Sequence, residues 1–332
     1  MSKGKVLVTG GAGYIGSHAV LALLDAGHDV VVIDNLVTGF DWAVDPRATL
    51  VVADIADDAK VRATMREHNV IAVMHFAGSV VVPESVSNPL KYYRNNTAAS
   101  RALLESAVRT GVAHFIFSST AATYGIPEAS PCGEDTPTRP INPYGMSKLM
   151  TEAMLADVSA AHPMNHCILR YFNVAGADPK GRTGQSTAGA THLIKVAVEA
   201  ALGKRAHVGV FGTDFPTPDG TGVRDYIHVS DLATAHVLAL DALMKKPGEN
   251  LLLNCGYNRG FSVLEVLDAI DRITNRKIDR RLEGRRAGDP PSLVADNRRI
   301  LARLPWKPAF ADLDTIVSHA LAWERKLSER GL

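Results

Sequence analysis

Tyr144 and Lys148, four residues apart, give the sharpest chemical signal in the chain. On a helix beginning near Tyr144, that spacing sets a phenol and an ammonium on one face. A lysine charge beside the ring favours the phenolate and brings it toward the working range of a general base. Such pairs also occur on ordinary helix surfaces, so the chemistry needs a further partner. Phe117-Ser-Ser-Thr120 closes an apolar strand, with Thr120 standing 24 residues before Tyr144. Its hydroxyls fall at the carboxyl edge of a sheet, where such folds bind ligands.

A second constellation lies at the start. Thr9-Gly-Gly-Ala-Gly-Tyr-Ile-Gly16 places Gly10, Gly13 and Gly16 between a strand and a helix. Without side chains, Gly10 can make the tight turn, Gly13 can let backbone approach a pyrophosphate, and Gly16 can let the helix pack closely. The helix N-terminus adds free N–H donors and a partial positive charge. Asp34, just after the second strand, stands near the spacing of about 20 residues expected of a carboxylate on the adenosine ribose. Together these read as a dinucleotide site. The acid at 34 repels a 2′-phosphate and the first arginine behind it is Arg47, so NAD is favoured over NADP. Asp54-Ile55, after the third strand, can receive the adenine; a turn or helix-cap role for Asp54 is the alternative.

The elements that must position these groups follow from periodicity. Continuous apolar strands are expected at Lys5 to Thr9, Asp29 to Ile33, Thr49 to Val52, Val70 to Phe76, His114 to Ser118 and Cys167 to Tyr171. Helical spacing is expected at Tyr14 to Ala26, Asp58 to His68, Thr97 to Arg109 and Ser147 to Ala161. Strands without polar alternation fit a parallel sheet covered on both faces. The fold class is therefore α/β: a Rossmann-like, doubly wound parallel sheet with a smaller α/β C-terminal substrate domain. Beyond about Ala175 the chain becomes loop-rich, which sets a boundary near 176, with residues 1–176 as the dinucleotide-binding unit and 177–332 mainly as the substrate unit. The basic cluster Arg280, Arg281, Arg285 and Arg286 reads first as a solvated face.

Composition excludes several classes. The chain has 332 residues, 46% hydrophobic and 21% charged, enough for about two domains. Its 36 Lys plus Arg against 35 Asp plus Glu leave a net charge of +1. That offers no sequence-wide attraction to nucleic acid or an anionic membrane. Cys132, Cys167 and Cys255 stand apart with no CxxC pair, against a zinc cage or a disulfide framework, so no metal is expected. Met1-Ser-Lys-Gly-Lys5 runs straight into Val6-Leu-Val8, and no apolar run approaches the roughly 18 residues of a membrane span. The expectation is a cytoplasmic protein.

The glycine turn, the hydroxyl at a strand end and Tyr144-x-x-x-Lys148 together resemble the extended short-chain dehydrogenase/reductase superfamily. Longer segments are similar to the UDP-glucose 4-epimerase family: Gly10-Gly-Ala-Gly-Tyr-Ile-Gly-Ser-His18, Asp34-Asn-Leu36, His75-Phe-Ala-Gly78, Pro143-Tyr-Gly-x-Ser-Lys-Leu149, Leu169-Arg-Tyr-Phe-Asn173 and Asp219-Gly-Thr-Gly-Val-Arg-Asp-Tyr-Ile-His-Val229. The similarity runs over essentially the whole chain.

The resemblance implies reversible 4-epimerisation of UDP-glucose and UDP-galactose through a 4-keto sugar, with tightly bound NAD as transient hydride acceptor. It gives Tyr144 the role of base. Lys148 lowers its pKa and binds the nicotinamide ribose, and Thr120, where Ser is usual, relays a hydrogen bond to the substrate. Beside Gly10, Gly13, Gly16, Asp34, Asp54, Ile55, Tyr144 and Lys148, it implies cofactor contacts from Tyr14, Ile15, Asn35, Phe76, Ala77, Gly78, Asn95 and Tyr171. For the UDP-hexose it implies Phe172, Asn173, His192, Leu193, Phe211, Arg224, Arg286, Asp289 and Leu293, alongside Thr120 and Tyr144. Arg224 and Arg286 would hold the diphosphate, since a planar guanidinium matches phosphate oxygens. A homodimer is implied, packed through the helix from Thr97 to Arg109 and the helix from Tyr144 onward.

Three residues depart from the family pattern. Val80 stands where Lys is usual, His192 where Asn is usual, and Leu293 where some members have Tyr. The smaller Leu293 leaves room near the sugar C2 substituent for weak UDP-GlcNAc turnover. Ala121-Ala122 after Thr120 argue against a 4,6-dehydratase, which carries Asp-Glu there. A UDP-uronate epimerase, a simple dehydrogenase and a silent NAD-binding scaffold stay open as alternatives.

Overall fold

The structure, a computed structural model, describes residues 4–286 and 289–331. Seven parallel strands form its main sheet, in the order Leu251–Cys255, Asn165–Tyr171, His114–Thr120, Val70–His75, Lys5–Thr9, Val30–Asp34 and Thr49–Val52. The expected Rossmann-like fold is present. Val30–Asp34 is buried along its whole length, as a strand covered on both faces requires. Side-chain alternation divides the core between those faces. Val6 and Val8 join Leu232 and Leu240 on one side. Leu7 joins Leu103 and Leu155 on the other.

Chain order reverses between Lys5–Thr9 and Val70–His75, so their outgoing loops diverge and open a crevice at the carboxyl edge. The glycine turn leaves the first of these strands and Phe76–Gly78 leaves the second. Thr120 ends the next strand along.

Some boundaries move. The second strand runs Val30–Asp34, so Asp34 is its last residue. The strand expected to end at Ser118 continues through Thr120. The helix expected from Thr97 opens instead as a π-helical turn, Tyr93–Ala98, before the regular helix Ala99–Thr110.

The division near 176 needs a larger correction. Strand Leu251–Cys255 hydrogen-bonds to Asn165–Tyr171 and completes the main sheet. Helix Val229–Lys245 packs across it beside helix Tyr14–Asp25. Residues 229–255 thus return to the first unit, because an apolar edge strand and an apolar helix are buried best there. The remainder of 177–331 builds small sheets around Val223–His228 and Val208–Phe211. These share a separate core with helices Leu193–Ala201, Val263–Thr274 and Leu313–Glu329.

Candidate active site

The glycine turn is shaped by close approach. Gly10 has φ +71°, and a Cβ there would lie 2.6 Å from the Ala77 nitrogen, so the turn rests directly on the Phe76–Ala77 backbone. A Cβ on Gly16 would lie 2.1 Å from the Gly10 carbonyl oxygen. The third glycine therefore seats the helix on the turn itself. At Gly13 a Cβ would meet only the Gly10 carbonyl, at 3.2 Å, which leaves this backbone open on its outer side. Gly13 also begins helix Tyr14–Asp25, with no side-chain cap and no acid in the first turn. The first N–H groups, at Tyr14, Ile15 and Gly16, thus face the crevice unneutralised, as an anion site requires.

Asp34 is held at the end of its strand by two amides. Its Oδ2 accepts from Ala12 at 2.9 Å and its Oδ1 from Leu36 at 2.8 Å. Arg47 does not reach it: the guanidinium sits on Asp25 at 3.0 Å and Asp45 at 2.9 Å. Asn35 donates to Asp54 at 3.0 Å beside the buried Ile55, which joins three of the expected adenine-side residues. Asp54 also accepts from Ala56 at 2.8 Å, so it serves its turn as well. An open glycine cradle, a bare helix N-terminus and a carboxylate that pairs with no cation among the described residues fit NAD.

The Tyr–Lys helix, Pro143–Ala161, starts where local chemistry demands. Asn142 caps it by accepting from Gly145 at 2.8 Å, with proline at the first helical position. Gly145 lets this helix end sit against the turn after Thr120, since a Cβ there would come within 2.5 Å of the Ala122 carbonyl oxygen. Tyr144 is thereby carried toward Thr120, near enough for the Thr120 hydroxyl to influence the phenol.

Burial pushes the Tyr144 phenol up from its ordinary pKa, and the nearby Thr120 hydroxyl acts in the opposite direction. Desolvation is the larger of these two influences. Burial also lowers the Lys148 ammonium to about 8, against the pull of Glu152 one turn along. Lys148 Nζ donates to the Ser118 carbonyl at 3.0 Å and lies 5.0 Å from the Phe117 ring centroid. It also approaches the loop after Val70–His75, standing 3.7 Å from the place a Gly78 Cβ would occupy. Tyr171 places its hydroxyl on that of Ser118. Asn95 donates to Ser79 at 3.1 Å on the same loop.

The expected substrate residues fall into two adjoining groups. Phe172 and Leu293 share one apolar cluster with Ala121 and Tyr124, directly after Thr120. Leu293 pairs in register with Arg224. Asp289 joins both candidate phosphate ligands: Arg224 Nη2 is 4.0 Å from Oδ1, and Arg286 Nε donates to Oδ2 at 3.1 Å. The Arg286 guanidinium lies 4.4 Å above Phe211. In the second group, Asn173, His192 and Leu193 line one cavity with Tyr226. His192 Nδ1 is 2.9 Å from the Gln185 amide nitrogen. Strand Val223–His228 links the groups, carrying Arg224 near its start and pairing Tyr226 with Asn173.

The basic cluster is not simply solvated. Arg280 bridges Asp268 at 2.8 Å and Asp271 at 2.5 Å, and Arg285 pairs with Asp214 at 2.6 Å.

Two supporting elements escaped sequence reasoning. Buried Asn96 accepts from Ser79 N–H at 2.7 Å and donates to Ser147 at 3.0 Å, pinning the Gly78 loop to the Tyr–Lys helix. Arg170 and Glu152 form a buried pair at 2.5 Å behind the dyad. The signal for Glu152 was its place one helical turn after Lys148; Asn96 had none.

Comparison with known proteins agrees with this geometry. The pattern of the NAD dependent epimerase/dehydratase family matches residues 6–256. UDP-glucose 4-epimerase from Azospirillum brasilense is 57% identical over 98% of this chain and 93% of its own. The crystal structure of UDP-glucose 4-epimerase from Brucella ovis in complex with NAD is 46% identical, covers 96% of this chain and 98% of that one, and superposes with a TM-score of 0.93. The UDP-Glc/GlcNAc 4-epimerase from Campylobacter jejuni is 45% identical, with 98% and 100% coverage and a TM-score of 0.85. The chain belongs to the NAD dependent epimerase/dehydratase family and, within it, to the UDP-glucose 4-epimerases.

Proposed function

We propose that this chain interconverts UDP-glucose and UDP-galactose at C4 through a 4-keto sugar, with NAD as its cofactor. The observation that carries this is the Thr120–Tyr144–Lys148 group at the carboxyl edge, between the glycine turn and the Phe172–Leu293 wall. When bound, NAD supplies a reversible hydride acceptor with a cationic ring. Tyr144 takes the proton of the sugar 4-hydroxyl and returns it to the 4-keto oxygen. Thr120, at the strand end beside the phenol, offers its hydroxyl to the same substrate oxygen. Lys148 balances the phenolate charge, an effect strengthened where water is excluded.

Residues 10–16, Asp34, Asn35, Asp54, Ile55, Phe76–Gly78, Asn95 and Tyr171 hold the dinucleotide. Arg224 and Arg286 take the diphosphate, which frees Asp289 for the uridine ribose. Phe211 faces the uracil; Phe172 and Leu293 border the sugar; Asn173, His192 and Leu193 complete the nucleotide side. Buried Leu293 is smaller than a tyrosine, which supports weak UDP-GlcNAc turnover; no detectable epimerisation at saturating UDP-GlcNAc contradicts that part.

The active form is a homodimer packed through the Tyr–Lys helix and Ala99–Thr110. Met150 on the former is 40% exposed, which supports this, and a monomer mass in solution opposes it. A cytoplasmic location is supported by three buried free thiols. No described helix is long and apolar enough to cross a membrane.

The test is incubation with UDP-galactose and no added NAD. The reading expects UDP-glucose to appear without accumulation of NADH, and stoichiometric NAD to be released on denaturation. No conversion by NAD-loaded protein sinks it.

A further inference from the structure

Helix Leu313–Glu329 touches both sides of the site. Its Trp323 and Glu324 line the cavity that holds Asn173, His192 and Leu193. The same Trp323 ring stacks on Trp42, 6.4 Å away at 29°. Trp42 belongs to the segment joining strands Val30–Asp34 and Thr49–Val52, and that segment lies on the glycine turn. Phe40, its ring 5.1 Å from Trp42, donates its N–H to the Ala12 carbonyl at 3.0 Å. Gly39 presses on the same residue, for a Cβ there would sit 2.9 Å from the Ala12 carbonyl carbon. Ala12 in turn donates to Asp34 at 2.9 Å.

The two tryptophans differ in exposure. Trp323 is 3% exposed; Trp42, at 37%, forms the rim. Trp323 Nε1 donates to Ser186 at 3.2 Å, and its ring lies flat on Gly184, where a Cβ would come within 2.4 Å. Exposed Arg330 closes the contact with its guanidinium 5.6 Å from Trp42 and 5.9 Å from Trp323. A second tie to this segment, Arg47 to Asp25 at 3.0 Å, is an exposed ion pair and contributes little. Buried Val44 anchors the segment in the main core and the Phe40–Ala12 bond anchors it on the turn, while the aromatic contact adds the tie to helix Leu313–Glu329.

We propose that Trp42, Trp323 and Arg330 form a latch that holds this segment on the glycine turn and so slows the loss of NAD. They are positioning residues, acting through Phe40 and Ala12. The proposal rests on the reading of residues 10–16 and Asp34 as the NAD site. Opening the latch raises the population of the lifted segment, and release speeds up in proportion.

The test loads wild type, Trp42→Ala, Trp42→Phe, Arg330→Gln and Asp34→Ala with NAD, transfers each to NAD-free buffer and follows the NAD still bound with time. An aromatic stack plus a cation–π contact predicts roughly tenfold faster release from Trp42→Ala, with Trp42→Phe close to wild type. Arg330→Gln changes one exposed side chain and is expected to release NAD several-fold faster; it carries the test if Trp42→Ala does not fold. Wild-type release from Trp42→Ala or Arg330→Gln overturns the latch. Equal acceleration in Trp42→Phe also overturns it, by marking general loosening. Asp34→Ala separates the two readings: fast release there with none from the latch variants rejects the latch alone, whereas wild-type release from Asp34→Ala rejects the NAD site.

Discussion

Lys148 Nζ donates to the Ser118 carbonyl across 3.0 Å, which ties the Tyr–Lys helix to the strand that ends in Thr120. The contact also fixes where the positive charge sits. A backbone carbonyl holds the ammonium without neutralising it, so the charge stays available to an oxyanion forming on Tyr144.

The register between Tyr144 and Thr120 depends on Gly145. A methyl group there would press on the Ala122 carbonyl at 2.5 Å, and backbone cannot swing aside as a side chain can. Gly145→Ala is expected to lower kcat roughly tenfold or more by separating the two hydroxyls, with NAD content unchanged. Steady-state kinetics beside NAD quantitation checks this; an unaltered kcat counts against the register.

Arg286 hydrogen-bonds to Asp289 and stacks on Phe211 outside the catalytic group. Arg286→Gln is expected to raise KM for UDP-galactose by roughly tenfold or more, the worth of a charge-assisted bond to phosphate, while kcat changes little. UDP inhibition should weaken in parallel. A fall confined to kcat would move Arg286 out of substrate binding.

His75 lies between Thr9 and Ser100, with each ring nitrogen 2.7 Å from a hydroxyl. Burial, with Lys148 adding to it, lowers its pKa to about 3. The unfolded chain binds a proton near 6.5 and the folded chain does not. Its stabilising contribution is thus complete above that pH and is lost as pH falls toward 3. At pH 5 the loss from this residue is on the order of 2 kcal/mol. Urea unfolding at pH 7.5 and 5 should show the drop, and His75→Gln should show a smaller one; an equal drop in both places the titration elsewhere.

Much of the site was legible because its signals are local. A glycine turn, a strand-end hydroxyl and a Tyr–Lys spacing each fit within one strand–loop–helix unit, so periodicity alone sets them at the carboxyl edge. What sequence did not reveal depends on residues distant in the chain. Leu251–Cys255 reads as an apolar strand anywhere, and only pairing with Asn165–Tyr171 places it in the main sheet. Arg280 looked solvated because its acidic partners lie on a neighbouring helix. The burial of Tyr144, which pushes its phenol up, comes from tertiary packing and is not visible in the Tyr–Lys spacing.

Proton transfer by Tyr144 is the central claim, and one comparison tests it most directly. The rate of UDP-galactose conversion is measured for wild type and Tyr144→Phe at matched bound NAD. Removing the hydroxyl while keeping the ring is expected to cut kcat by roughly 10²-fold or more, with NAD still bound. A Tyr144→Phe protein that turns over near the wild-type rate would contradict the account.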